Sequence, residues 1–132
     1  MDKLEYIPGD LVMIDENDET IYRIDDVESQ PHSGDFCYIL SHIGIGGILF
    51  DLPANHIYPI PLTPEILEKN GWKKGEREYT NDSYHLCLCG KHDGYSVYKV
   101  VNDNVVWLTG VRSVSDLQHL FFGLGINHEM EV

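Results

Sequence analysis

Tyr58-Pro59-Ile60-Pro61-Leu62-Thr63-Pro64-Glu65-Ile66-Leu67-Glu68-Lys69-Asn70-Gly71-Trp72 is the stretch that decides the fold. It separates a part made of short strand-like runs from a part that opens with a helix. Thr63 is placed to cap that helix, and Pro64 occupies its first position, where a missing N–H is harmless. Leu62 and Leu67 have the spacing of a hydrophobic staple. These signals predict a helix that begins at Pro64.

The same stretch also predicts where the helix ends and how the two parts are joined. Asn70-Gly71 is a helix stop, and Trp72 is positioned to fold back on Leu67 as in a Schellman motif. Pro59 and Pro61 stiffen the link before the helix, which is too short for free movement. We therefore expect one compact body with two subdomains, at residues 1–60 and 61–132.

The charge of the chain is strongly acidic and unevenly distributed. The 132 residues carry a net charge of −13, and the first 60 hold 12 acidic and 2 basic residues. Such a surface opposes phosphate binding, so direct binding of nucleic acid is not expected. The simplest interpretation of the acid excess is solubility. The alternative is an acidic inhibitor that mimics nucleic acid on a host protein.

Cysteine usage and hydropathy indicate the compartment. Cys37, Cys87 and Cys89 are an odd and sparse set, which is typical of a reducing environment. No charged-then-apolar leader opens the chain, and no run reaches the roughly 20 apolar residues of a membrane helix. The sequence therefore predicts a cytoplasmic protein without membrane contact.

Five short strands are predicted in the N-terminal part, and turn residues separate them. A Pro8-Gly9-Asp10 turn leads into the first strand, and another turn at 53–56 precedes the last. The predicted strands cover 11–14, 20–28, 36–41, 48–52 and 57–60. The pattern over residues 6–60 resembles an SH3-like barrel. Such barrels usually bind something, but the fold does not say what.

A three-stranded meander is predicted in the C-terminal part, at 84–89, 95–101 and 105–108. Residues 73–77 are expected to form an exposed, mildly basic turn. Three strands need a covering layer to be stable. The predicted fold class is therefore α+β, mainly β, with a five-stranded SH3-like barrel followed by an α-β-β-β-α module.

The last helix is predicted to supply that cover. Ser113 and Asp116 have capping-box spacing, although Ser115 could itself be the cap. An apolar stripe at helical spacing faces the meander, formed by Val114, Leu117, Phe121 and Leu124, with Leu120 beside it. Gly125 is expected to end the helix. Gln118 and His119 are expected to face outward.

Two phrases in this part resemble a group of small uncharacterised proteins of gut Bacteroidales genomes and their phages and mobile elements. They are Pro61-Leu62-Thr63-Pro64-Glu65-Ile66-Leu67-Glu68-Lys69-Asn70-Gly71 and Val114-Ser115-Asp116-Leu117-Gln118-His119-Leu120-Phe121-Phe122. The resemblance covers about residues 57–126. It implies a similar fold and a phage or mobile-element setting, and it supplies no activity and no catalytic residue.

One constellation could carry metal chemistry. His85, Cys87, Cys89 and His92 are four potential zinc ligands within eight residues. Alternate residues of a strand share a face but lie about 7 Å apart, so one ion could reach two of them and hardly three. No second Cys/His cluster completes a tetrahedron. We therefore expect no metal and no other cofactor, with Cys87 and Cys89 as small residues of one strand face.

Catalytic motifs are absent from the sequence. It contains no Gly-x-Ser-x-Gly, no His-Glu-x-x-His and no phosphate loop. The predicted function is a non-enzymatic interaction or accessory module with a protein partner. The alternatives are the acidic mimic, an inhibitor that sequesters a ligand, and a small enzyme. The oligomeric state cannot be predicted from this sequence.

Overall fold

The computed structural model describes residues 6–15, 20–29, 36–43, 49–91 and 93–132. The fold is mostly β, with 47% strand and 18% helix. The described strands form two five-stranded antiparallel sheets. Within the described residues, no helix has both the length and the apolar character needed to cross a membrane.

The first sheet is curled into a half-barrel. Its strands are β1 (Leu11–Met13), β2 (Tyr22–Ser29), β3 (Phe36–His42), β4 (Leu49–Pro53) and β5 (Tyr58–Pro59), in the order β4-β3-β2-β1-β5. A single 3₁₀ turn, Ala54–His56, precedes β5. The core of this sheet contains Val12, Ile24, Tyr38 and Leu40. The five predicted strands and the turn before the last one are confirmed, with shifted bounds.

The junction helix α1 spans Pro64–Lys69. Thr63 Oγ1 accepts a hydrogen bond from the Ile66 amide at 3.3 Å, which is the predicted cap. At the other end Gly71 has φ 87°, and the Trp72 amide donates to the Leu67 carbonyl at 3.1 Å. This 6→1 hydrogen bond is the predicted Schellman ending.

The second sheet has more strands than the sequence predicted. It contains β6 (Lys73–Lys74), β7 (Glu78–Asn81), β8 (Leu86–Lys91), β9 (Gly94–Val101) and β10 (Asn104–Val111), in the order β10-β9-β8-β7-β6. The predicted three-stranded meander is therefore wrong in its strand count, and residues 73–77 are not simply a turn. β6 and β7 are short and polar, and their pairing, β7 with β8 and β6 with β7, sets their conformation where local propensity does not.

The last helix, α2, spans Val114–Gly123 and begins with a complete capping box between Ser113 and Asp116. Leu117 and Phe121 are buried with Leu67 and Trp72 in the core of the second sheet. Leu124 is exposed, so its predicted place in the buried stripe is wrong. The helix ends at Gly123, Leu124 is its C-cap, and Gly125 follows with φ 72°.

A shared core joins the two halves. Leu11, Ile60 and Val114 form a buried cluster that draws one residue from β1, one from the junction and one from α2. Two backbone hydrogen bonds run beside it: the Val114 amide donates to the Ile60 carbonyl at 2.8 Å, and Leu62 donates to Arg112 at 3.2 Å. The predicted close packing of the halves is present in these contacts.

Candidate functional site

The structure separates the four predicted metal ligands. Cys87 and Cys89 lie in β8, whereas His85 belongs to the preceding turn, with φ 54° and an exposed side chain. His92 lies outside the described residues. Among the residues that the structure does describe, no three His, Cys, Asp or Glu side chains are grouped so that they could hold a metal ion.

The two thiols line a cleft of about 340 Å³ together with Glu78 and Tyr98. Cys89 Sγ lies 3.8 Å from Glu78 Oε2. Burial, and then the charge of Glu78, raise the pKa of both Cys87 and Cys89. The thiols therefore stay protonated at neutral pH, and a protonated thiol is a weak nucleophile and a poor metal ligand.

We expect the purified protein to contain well under one zinc ion per chain. The reason is that a zinc site needs deprotonated thiolates in tetrahedral geometry, and the cleft favours protonated thiols on one strand face. Elemental analysis of protein dialysed without chelator measures the content. Near-stoichiometric zinc, lost in a Cys87→Ser variant, would show that His92 or another residue completes a site.

The open face of the second sheet is the side opposite the helices. Thr80, Cys87, Tyr98 and Trp107 lie opposite one another in neighbouring strands and define it. Val105, paired with Val100, extends this face toward the β9–β10 turn. Trp107 is 56% exposed and Val105 is 60% exposed. Large apolar side chains that are exposed together on one surface mark an interaction site.

β10 forms one edge of this sheet. Of the strands that the structure describes, only β9 pairs with it. Its 8 residues, Asn104–Val111, include no charged residue and no proline. Natural edge strands are usually protected by such residues, because their free N–H and C=O groups otherwise recruit another chain. The register of β10 against β9 shifts between Trp107 and Thr109. β10 is therefore an edge with an irregularity in its pairing but without the protection of charge or proline.

A groove of about 510 Å³ runs between this edge and helix α2. Three consecutive residues of β10 form one wall of the groove, and residues of α2 and its C-cap form the other wall. The lining residues are Leu108, Thr109, Gly110, Asp116, His119, Leu120, Gly123 and Leu124. Leu120, Gly123 and Leu124 make one end apolar, and Asp116 and His119 make the other end polar.

His119 lines this groove, and its side chain is hydrogen-bonded to a buried carboxylate. His119 Nε2 lies 2.5 Å from Asp10 Oδ2, and the side chain of Asp10 is 0% exposed. The hydrogen bond to Asp10 raises the pKa of His119, burial opposes it, and the charges of Asp10 and Asp116 raise it further. The expectation that His119 faces outward is wrong, because a turn of the N-terminal half packs against this side of α2.

Gln118 was also expected to face outward, and it is fully buried. Its Oε1 accepts a hydrogen bond from the Leu11 amide at 2.9 Å. Its Nε2 donates to the carbonyls of Gly9 and His128, each at 2.9 Å. The side chain thus links three chain segments at the junction. In the sequence, the local signal that a second side of α2 is packed is the pair of adjacent polar residues, Gln118 and His119, on a largely apolar helix.

Among the residues that the structure describes, the groove brings no nucleophile beside its histidine. A His–carboxylate pair is the basic half of a catalytic triad, which also needs a hydroxyl or thiol within hydrogen-bonding reach. Thr109 lines the groove, but its hydroxyl donates to the Gly110 carbonyl at 3.3 Å. The Ser113 and Ser115 hydroxyls are buried and bond each other at 3.1 Å. The His119–Asp10 pair is therefore interpreted as a structural link.

Comparison with protein-family models, curated proteins and solved structures gives no match to this chain. The resemblance of residues 57–126 to Bacteroidales and phage proteins stays a prediction. The function is accordingly inferred from the groove and the edge strand.

Proposed function

We propose that this chain is a non-enzymatic interaction module that binds an extended segment of a partner protein as an additional strand on β10. One observation carries the proposal: an uncharged, proline-free edge strand of 8 residues borders an open groove against α2. Strand addition to such an edge is a common mode of peptide recognition, in which backbone hydrogen bonds give affinity and side-chain pockets give specificity.

The surroundings of β10 suit both faces of an added strand. Successive side chains of a strand point to opposite sides. On one side they would enter the groove lined by Leu120 and Leu124. On the other side they would lie beside Val105 and Trp107 of the open face. An extended segment would therefore bury apolar surface in both directions.

We also propose a specific fold for the N-terminal half. We infer an SH3-like barrel, and the strand order β4-β3-β2-β1-β5 with a 3₁₀ turn before β5 supports it. The half would serve as a scaffold that holds α2 through the Asp10 and Gln118 contacts. A phage or mobile-element setting and a cytoplasmic location are proposed on the sequence alone.

Two of the described carboxylates of the first half do not favour the acidic-mimic alternative. It requires the carboxylates of the first half to line one stripe. Asp10 is fully buried in the junction, and Asp25 pairs with Arg23 at 3.3 Å. The edge strand and groove favour the interaction module over this alternative.

We expect a substitution that fills the groove to abolish peptide capture. Gly123 lines the groove, and a Cβ built on it meets no atom within 4 Å, so we expect Gly123→Phe to fold and its ring to occupy space needed by the added strand. The assay pans a displayed library of random linear peptides on the full chain. Peptides enriched on the wild type should bind Gly123→Phe at least about tenfold more weakly.

Glu68→Phe is the matched control, because Glu68 is an exposed residue of α1, and α1 contacts β6 at the opposite edge of the sheet. This variant adds the same aromatic side chain and should retain wild-type affinity. Equal binding of the peptides to wild type and to Gly123→Phe would refute the groove as the binding site. Failure to enrich any peptide would refute strand addition altogether.

A further inference from the structure

We infer that the segment bound on β10 carries a lysine or arginine two residues from an apolar residue. This inference rests on the proposed function and names the chemistry of its partner. It depends on the two ends of the groove, one apolar and one carboxylate-bearing, and on the distance between them.

The length of the groove selects the spacing. Asp116 and Gly123 lie about two turns apart on α2, or roughly 10 Å along its axis. Side chains on one face of an added strand recur every two residues, about 7 Å apart. The groove therefore accepts two such side chains. One lies against Leu120 and Leu124, and the next lies against Asp116 and His119.

The carboxylate at the Asp116 end is held by backbone amides and not by a basic side chain. Asp116 Oδ2 accepts the backbone amides of Arg112 at 2.9 Å and Ser113 at 3.3 Å. Within the described part of the chain, no lysine or arginine lies within the 4.0 Å of an ion pair from this carboxylate. The groove lining also includes no basic residue other than His119. An incoming ammonium or guanidinium group would complete the ion pair.

His119 does not cancel this charge. It faces Asp10 from the N-terminal half and Asp116 from its own helix. When protonated, His119 is matched by the Asp10 carboxylate, and Asp116 is left as the excess negative charge. When neutral, it leaves both carboxylates uncompensated. The end of the groove is thus net negative in both states of the histidine.

Charge complementarity also favours a different protein over a second copy of this chain. The β10 strand of a second copy, Asn104–Val111, brings no basic side chain to Asp116. Each copy also carries a net charge of −13, so association of copies is opposed by repulsion. A basic, partly apolar extended segment satisfies both ends of the groove.

The test compares peptide selections on the wild type and on Asp116→Asn. Asn keeps an oxygen for the Arg112 and Ser113 amides, so the helix cap is retained, and only the charge is removed. From a random linear library, the wild type should enrich peptides with an apolar residue two positions from Lys or Arg. These peptides should bind Asp116→Asn about fivefold more weakly. Peptides in which norleucine replaces the basic residue should bind the wild type and Asp116→Asn with equal affinity.

The outcomes separate this inference from the proposed function. Suppose that the enriched peptides no longer bind Gly123→Phe but show no preference for a basic residue, or bind Asp116→Asn as tightly as the wild type. Either result would overturn the inference and leave strand addition in place. Selection of no peptide would overturn both. Sedimentation that shows a stable dimer, absent in Gly123→Phe, would assign the edge to a second copy and overturn the basic partner.

Discussion

Gln118→Leu is expected to lower the free energy of unfolding by about 3 kcal/mol, because it removes the partner of one buried and two partly buried hydrogen-bonding groups at once. The groups are the Leu11 amide and the carbonyls of Gly9 and His128. Leucine has nearly the volume of glutamine, so the loss reports hydrogen bonding and not a cavity. Since a domain of this size has only about 5–15 kcal/mol of stability, the variant should be close to unfolding at 37 °C.

Urea denaturation followed by tryptophan fluorescence measures this loss. Glu68→Leu is the control, because Glu68 is an exposed residue of α1 and its replacement should change stability by less than about 0.5 kcal/mol. A loss below 1 kcal/mol for Gln118→Leu would show that the three hydrogen bonds do not join the halves in solution.

His119→Ala is expected to cost about 3 kcal/mol near pH 6, because it leaves the Asp10 carboxylate buried without its cationic partner. Asp10 Oδ1 already has no hydrogen-bond partner. The Ile7 amide, which donates to Oδ2 at 2.9 Å, would remain as a partner among the described residues. The cost lies at the lower end for buried ion pairs because His119 is partly exposed.

His119→Gln isolates the proton from the hydrogen bond, since glutamine can donate an N–H to Asp10 but cannot take a charge. The pKa of His119 is raised in the folded protein. Its protonation therefore stabilises the fold fully below the unfolded value of about 6.5, and this contribution is lost as pH rises through the folded pKa. The stability difference between wild type and His119→Gln should shrink between pH 6 and pH 9. A difference that stays constant over this range would contradict the raised pKa.

Local signals in the sequence were sufficient for the elements that they punctuate. The Thr63 and Ser113 caps and the Gly71 and Gly125 stops all predicted helix ends correctly, because capping depends on residues within one turn. β6 and β7 were missed because they are polar and short. Their strand conformation depends on the pairing of β7 with β8 and of β6 with β7, not on their own composition.

The candidate site could not be predicted from local sequence signals, because its residues come together only in the tertiary structure. Gln118 bonds Gly9 across 109 residues, so nothing near it in sequence indicates a partner. β10 was predicted as a strand, but its edge position depends on the order of five strands. The groove then requires α2 to lie beside that edge. His85, Cys87, Cys89 and His92 are close in sequence, but proximity along the chain does not by itself bring side chains together, and the described residues contain no metal-binding group of three.

The central claim is that a partner segment becomes a strand on β10. Nuclear magnetic resonance of the full chain with a peptide enriched on the wild type tests it most directly. The account predicts backbone-to-backbone nuclear Overhauser contacts between the peptide and residues 104–110, with slowed exchange of alternate β10 amides. Contacts confined to side chains such as Val105 and Trp107, with unchanged amide exchange in β10, would contradict it.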